Sequence, residues 1–90
     1  MRIDKYLKVA RLTKRRVVAK VLLEEASIKV NGRNVKPSYE VKLNDEIELC
    51  LGRHHLIVKV TNVREFANKD QASDMFEVLK DEIVDLNQDS

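Results

Sequence analysis

The apolar period of this chain switches between Glu25 and Ile28, from the three-and-four spacing of a helix to the alternation of a strand. A chain built this way packs helices and sheet as separate blocks. On the helical side, Val17, Val18, Val21 and Leu22 fall in an arc of roughly 140° on a helical wheel, with Arg16 and Lys20 opposite. This predicts an amphipathic helix over residues 14–25 whose valines face the core, with Thr13 as its N-cap. Ahead of it, Asp4 is a cap candidate for a helix of about two turns that points Ile3, Leu7 and Ala10 inward.

On the strand side, Ile28-Lys29-Val30 runs into Asn31-Gly32, two residues that tolerate the positive φ of a tight hairpin turn. Val35 begins the return and Lys36-Pro37 stops it. The cluster Leu43-Asn44-Asp45 leads into a strand over residues 46–51, and Gly52-Arg53-His54 turns it into a second over 55–63. Beyond that, Ala72, Met75, Phe76, Leu79, Ile83 and Leu86 recur at three and four residues, which predicts a C-terminal amphipathic helix, acidic outside and frayed toward Ser90. The expected class is α+β: two N-terminal helices on a small antiparallel sheet over residues 1–64, and an acidic helical extension over 65–90 packed on the same domain.

Ninety residues suffice for one small core and leave no room for a large catalytic domain. The single cysteine, Cys50, excludes an internal disulfide framework and any multi-cysteine zinc site. No apolar run exceeds three residues, so neither a membrane span nor a signal peptide is expected, and the chain is assigned to the cytoplasm. Neither Gly32 nor Gly52 stands in a phosphate-loop pattern, so no nucleotide cofactor is expected. His54 and His55 are adjacent near a strand start and point to opposite faces, which disfavours joint chelation of a metal. Cys50 reads as a small apolar-like strand residue, since no histidine is placed beside it in sequence.

The formal charge of +2 hides a strong asymmetry. Residues 1–64 carry 15 Lys and Arg against 7 Asp and Glu, whereas residues 65–90 carry 2 against 8. Eight cations stand in residues 1–20 against the single acid Asp4. Lys14, Arg15 and Arg16 are expected in the first turn of the second helix, the wrong end for cations by the macrodipole, at roughly 0.3–1 kcal/mol per exposed charge. With few acids interleaved to form intrahelical pairs, this placement favours a polyanion partner over a merely solvated face. Aromatics are only Tyr6, Tyr39, Phe66 and Phe76, too few for a base-stacking platform, so structured RNA read through shape and phosphates fits best.

Arg2-Ile3-Asp4-Lys5-Tyr6-Leu7, then Arg11-Leu12-Thr13-Lys14-Arg15-Arg16 with Ala19, then Ile28-Lys29-Val30-Asn31-Gly32 and Lys36-Pro37, resemble the S4 RNA-binding domain over roughly residues 1–64. The short length, the run from Met1 to Lys20 and Met75-Phe76-Glu77-Val78-Leu79-Lys80 are similar to the small bacterial S4 proteins of ribosome-associated quality control, the RqcP type, relatives of the fifteen-kilodalton heat-shock S4 protein. The resemblance implies a monomeric, non-enzymatic factor, without cofactor or metal. It would bind 23S rRNA and peptidyl-tRNA on stalled, split large subunits and assist a nascent-chain tailing factor on the same subunit. Carried onto this sequence, the RNA face comprises Arg2, Lys5, Arg11, Lys14, Arg15, Arg16 and Lys20, with Asn31 and Arg33 in the hairpin. Lys8 is a candidate on charge alone. Asp4 would cap its helix or orient Arg2 or another cation. The alternatives are a heat-shock-type role in recycling blocked large subunits and a protein-interaction adaptor using the C-terminal helix. The adaptor reading expects a chain cut after Arg64 to keep its RNA binding.

Overall fold

The structure, a computed structural model, describes residues 1–84. Its elements are α1 (Ile3–Val9), α2 (Arg16–Glu24), β1 (Ile28–Val30), β2 (Arg33–Asn34), β3 (Glu46–Leu51), β4 (His54–Val60), α3 (Lys69–Ser73) and β5 (Phe76–Ile83). The strands form one sheet in the order β2-β1-β3-β4-β5, antiparallel throughout. The α+β class and the presence of both hairpins are as the sequence predicts, but the return strand is Arg33–Asn34 ahead of Val35, and β4 takes in His54 and ends at Val60 rather than at residue 63. Val30 and Arg33 are paired across Asn31 (φ 51°) and Gly32 (φ 79°), the two-residue loop with positive φ at both positions that matches strand twist.

Ile3, Tyr6 and Leu7 of α1 and Ala19 and Leu23 of α2 pack on Ile28, Val30, Ile47, Leu49, Val58 and Val60 of the sheet, closed by Met75. Tyr6 is fully buried and donates its hydroxyl to the Met75 carbonyl at 2.7 Å, which ties the link between α3 and β5 to α1.

Both helices end in a Schellman motif. At the end of α1, Arg11 N donates to Lys8 O (3.0 Å) and Leu12 N to Leu7 O (2.9 Å). At the end of α2, Ala26 N donates to Leu23 O (3.2 Å) and Ser27 N to Leu22 O (2.8 Å). The left-handed position that glycine usually fills is held by Arg11 and by Ala26, each at φ 61°.

Three expectations are corrected. First, Val17, Val18 and Val21 are 60%, 41% and 47% exposed, and α2 buries Ala19 and Leu23 instead. Arg16 is drawn toward Asp4, and this rotation of the helix turns the valines outward, while the small Ala19 allows close approach to the core.

Second, neither expected cap forms. Asp4 lies inside α1 behind the N-cap residue Arg2, and α2 starts at Arg16 with Arg15 as its N-cap. Thr13 is tied to the end of α1, its N–H donating to Leu7 O, and its hydroxyl donates to the Arg15 carbonyl at 3.2 Å instead of accepting from helix N–H groups.

Third, the C-terminal amphipathic helix is replaced by the short α3 and the strand β5. A capping box starts α3, in which Asn68 Oδ1 accepts from Gln71 N and Asn68 N donates to Gln71 Oε1. Residues 76–83 then pair along β4, with a register shift at Ile57/Val58. Of the expected apolar stripe, Ala72 and Met75 are buried, Leu79 and Ile83 are exposed, and Leu86 lies outside the described residues. No helix among the described residues is long and apolar enough to cross a membrane.

Candidate nucleic-acid interface

The first three residues are held by the segment around residue 40. Ile3 N donates to Tyr39 O (2.8 Å), Val41 N to Met1 O (2.9 Å), and the terminal ammonium pairs with Glu40 at 2.7 Å. This fixes Arg2 just ahead of α1. Asp4, one turn into the fold, has a fully buried side chain. Its Oδ2 receives Arg2 Nη2 at 3.2 Å and Arg16 Nε at 3.3 Å, while Oδ1 accepts from the Lys5 backbone N–H at 2.8 Å. A buried carboxylate with two cations is well compensated. Both guanidinium groups remain nearly half exposed, so Asp4 presents them to solvent in a set orientation. Asp4 thus does not cap α1 and is instead paired with Arg2 and Arg16.

Of the three cations expected in the first turn of α2 only Arg16 is there; Lys14 and Arg15 are exposed just ahead of it, Lys20 is exposed one turn on, and that first turn has neither an acidic residue nor a side-chain cap. Positive backbone ends and cations thus coincide there. Arg2 and Lys20 also line a groove of about 690 Å³ between α2 and the return of the β1–β2 hairpin, together with Asn34 and Lys36. Neither of those last two was in the expected RNA-binding set. Lys36 carried a signal, since its charge stands next to the conformational stop at Pro37.

Other expected residues sit differently. Lys5 is engaged: its ammonium pairs with Glu65 at 2.7 Å and lies 5.9 Å from the Phe66 ring centroid. The hydrogen bond from Lys5, followed by its charge, holds the Glu65 carboxyl below its ordinary range. The Asn31 side chain is spent on the fold, donating to Asp45 Oδ1 (3.1 Å) and accepting from Glu46 N (3.0 Å). Arg33 is exposed beside it. Asp45 also accepts from Tyr39 Oη (2.9 Å) and Lys42 N (2.9 Å), making it a buried hub under the hairpin. Arg11 and Lys14 face a separate cleft with Lys8.

Cys50 is exposed and lies opposite His55 in the β3–β4 register. With Glu48 these side chains bring their donor atoms within 4.8 Å of one another. Sequence spacing could not reveal a contact made across strands. Glu48 already pairs with His55 at 2.6 Å, and His54 pairs instead with Asp81 of β5 at 2.5 Å.

The charge asymmetry becomes spatial in the sheet. The hairpin strand β2, carrying Arg33, is one edge, and β5, carrying Glu77, Asp81 and Glu82, is the other.

The family model described as the S4 domain matches residues 1–47. The RQC P-site tRNA stabilizing factor of Streptococcus pneumoniae is 42% identical over 87 residues, covering 97% of this chain and 99% of that protein. The protein of the same name from Listeria innocua is 46% identical over 85 residues, covering 94% and 92%. Among solved structures, the trimeric Heat Shock Protein 15 of Vibrio cholerae superposes with a TM-score of 0.82 at 25% identity, covering 87% of this chain and 80% of that one.

Proposed function

The chain belongs to the S4-domain family, in the branch of the RQC P-site tRNA stabilizing factors, and from that premise we propose that it is a non-enzymatic RNA-binding factor acting on stalled, split large ribosomal subunits. It binds 23S rRNA and the P-site peptidyl-tRNA together, as a single copy in the cytoplasm, and so assists nascent-chain tailing. The observation that carries this reading is the buried Asp4 carboxylate with Arg2 and Arg16 on it. Such a device orients two forked donors toward phosphates before binding, so that less rotamer entropy is lost on contact. Arg2, Arg11, Lys14, Arg15, Arg16, Lys20 and Arg33 form the contact set. Lys5 and Asn31 serve it by positioning, because their side chains are engaged within the fold.

The test is cosedimentation. The chain migrates with free large subunits at low salt and leaves them steeply as salt rises, with affinity falling about a thousandfold between 50 and 200 mM if six or more phosphates are neutralised. Migration with small subunits, or binding indifferent to salt, overturns the reading.

The similarity to Heat Shock Protein 15 favours a second reading, the recycling of blocked large subunits without tailing. Deleting the gene separates the two: tailed nascent chains disappear under the first reading and persist under the second.

A further inference from the structure

Phe66 is 85% exposed, more than any other large apolar side chain among the described residues. It does not stand alone. The ring borders a cleft of about 380 Å³ between the end of α1 with the α1–α2 link and residues 65–67, lined by Lys8, Val9, Arg11, Thr13, Lys14, Glu65 and Ala67. That volume is within the roughly 300–1,000 Å³ of ordinary small-ligand sites.

Three features distinguish the cleft from a chance hollow. Lys8, Arg11 and Lys14 have no ion-pair partner among the described residues, so its rim presents three uncompensated cations. The one acid of the lining, Glu65, is paired with Lys5, whose ammonium also lies 5.9 Å from the Phe66 ring centroid. Arg11 reaches the cleft from a left-handed backbone position that costs an arginine what glycine would spare. An exposed aromatic face, a short apolar floor and cations at the rim match one ligand chemistry: a flat heteroaromatic ring carrying a phosphate.

We propose that this cleft takes one unpaired nucleotide of the bound RNA, its base stacked on Phe66 and its phosphate held by Arg11 and Lys14. This rests on the RNA-binding reading above and adds to it a place where an extruded base is received. Stacking of a base on an aromatic side chain is sequence-tolerant and strong enough to matter in a single copy.

The test compares the parent with Phe66→Leu and Phe66→Trp, binding purified large ribosomal subunits by cosedimentation. A leucine satisfies apolar packing but not stacking, so Phe66→Leu binds about tenfold or more weakly, whereas Phe66→Trp stays within about twofold of the parent. With the ring this exposed, both variants melt as the parent does. The natural chain has no tryptophan, so the new indole is a sole reporter. Its emission falls when deproteinised large-subunit rRNA is added. Phe66→Leu binding as tightly as the parent, or unquenched emission from a bound Phe66→Trp chain, overturns the cleft and leaves the RNA-binding reading intact. A parent chain that binds no large subunits overturns both.

Discussion

Arg16 Nε lies 3.3 Å from Asp4 Oδ2, an ion pair that joins the start of α2 to the first turn of α1. It sets the rotation of α2 and holds one end of the basic face. Asp4→Asn keeps the shape and removes the charge. Both arginines then lose a fixed partner, and affinity for large subunits falls about tenfold, an effect of about 1.4 kcal/mol. Stability falls by about 1–2 kcal/mol, less than for a fully buried pair because both guanidinium groups are half in solvent. Unchanged cosedimentation of Asp4→Asn would show that the carboxylate serves the fold alone.

Arg11 and Ala26 occupy equivalent left-handed positions, and substituting glycine at each separates stability from function. Either replacement relieves about 1 kcal/mol of backbone strain, which raises Tm by about 4–8 °C in a domain of this size. Arg11→Gly also removes a cation from the cleft, so it gains in Tm while losing affinity for large subunits. Ala26→Gly gains in Tm with affinity unchanged. If Arg11→Gly binds as well as the parent, the arginine at this position serves no RNA contact.

What was legible in the sequence is local. Asn31-Gly32 identifies its hairpin because a two-residue loop demands positive φ at both positions, and no distant contact alters that requirement. Ile47, Leu49, Val58 and Val60 alternate as buried strand residues must. The facing of Val17, Val18 and Val21 was not legible, because it is decided by a carboxylate twelve residues before Arg16. For residues 76–83 the sequence offers apolar positions compatible with either period, and the choice shows only in the long-range pairing with β4. The basic face was legible as composition, whereas its division into a groove beside Lys20 and a cleft beside Phe66 depends on where the chain returns at residues 34–38 and 65–67.

Replacing the expected helix by β5 changes what a truncation tests. A chain cut after Arg64 loses the edge strand, the fully buried Met75 and the carbonyl that accepts from Tyr6. Losing a buried methionine alone costs about 2–5 kcal/mol, a large share of what holds a domain this small together. The expected outcome is loss of the cooperative melt, with RNA binding lost alongside it. A truncated chain that melts cooperatively near the parent's Tm would mean that β5 is an accessory to a self-sufficient core. The adaptor reading is tested instead by Leu79→Ser, at an exposed position of β5, which leaves the fold and large-subunit binding intact and abolishes only a partner contact.

The two tyrosines make the fold sensitive to alkali. Burial pushes the Tyr6 hydroxyl well above the ordinary tyrosine range, and Tyr39 is raised by burial and then by the hydrogen bond and charge of Asp45. In the unfolded chain both ionise near the ordinary value of about 10. Below that pH neither state loses a proton and the stabilisation is complete; above it the unfolded state deprotonates first, so stability declines as pH rises toward the folded values. Tm should therefore hold steady from neutrality to about pH 9.5 and fall steeply beyond pH 10. Tyr6→Phe keeps the ring and removes the titrating hydroxyl. It costs about 0.5–1.5 kcal/mol at neutral pH, because the Met75 carbonyl still accepts from Thr61 N and Asn62 N, and it flattens the alkaline limb. Thermal melts of parent and variant between pH 7 and 11 measure both effects. An alkaline limb as steep in Tyr6→Phe as in the parent would assign the loss to Tyr39 and its contact with Asp45.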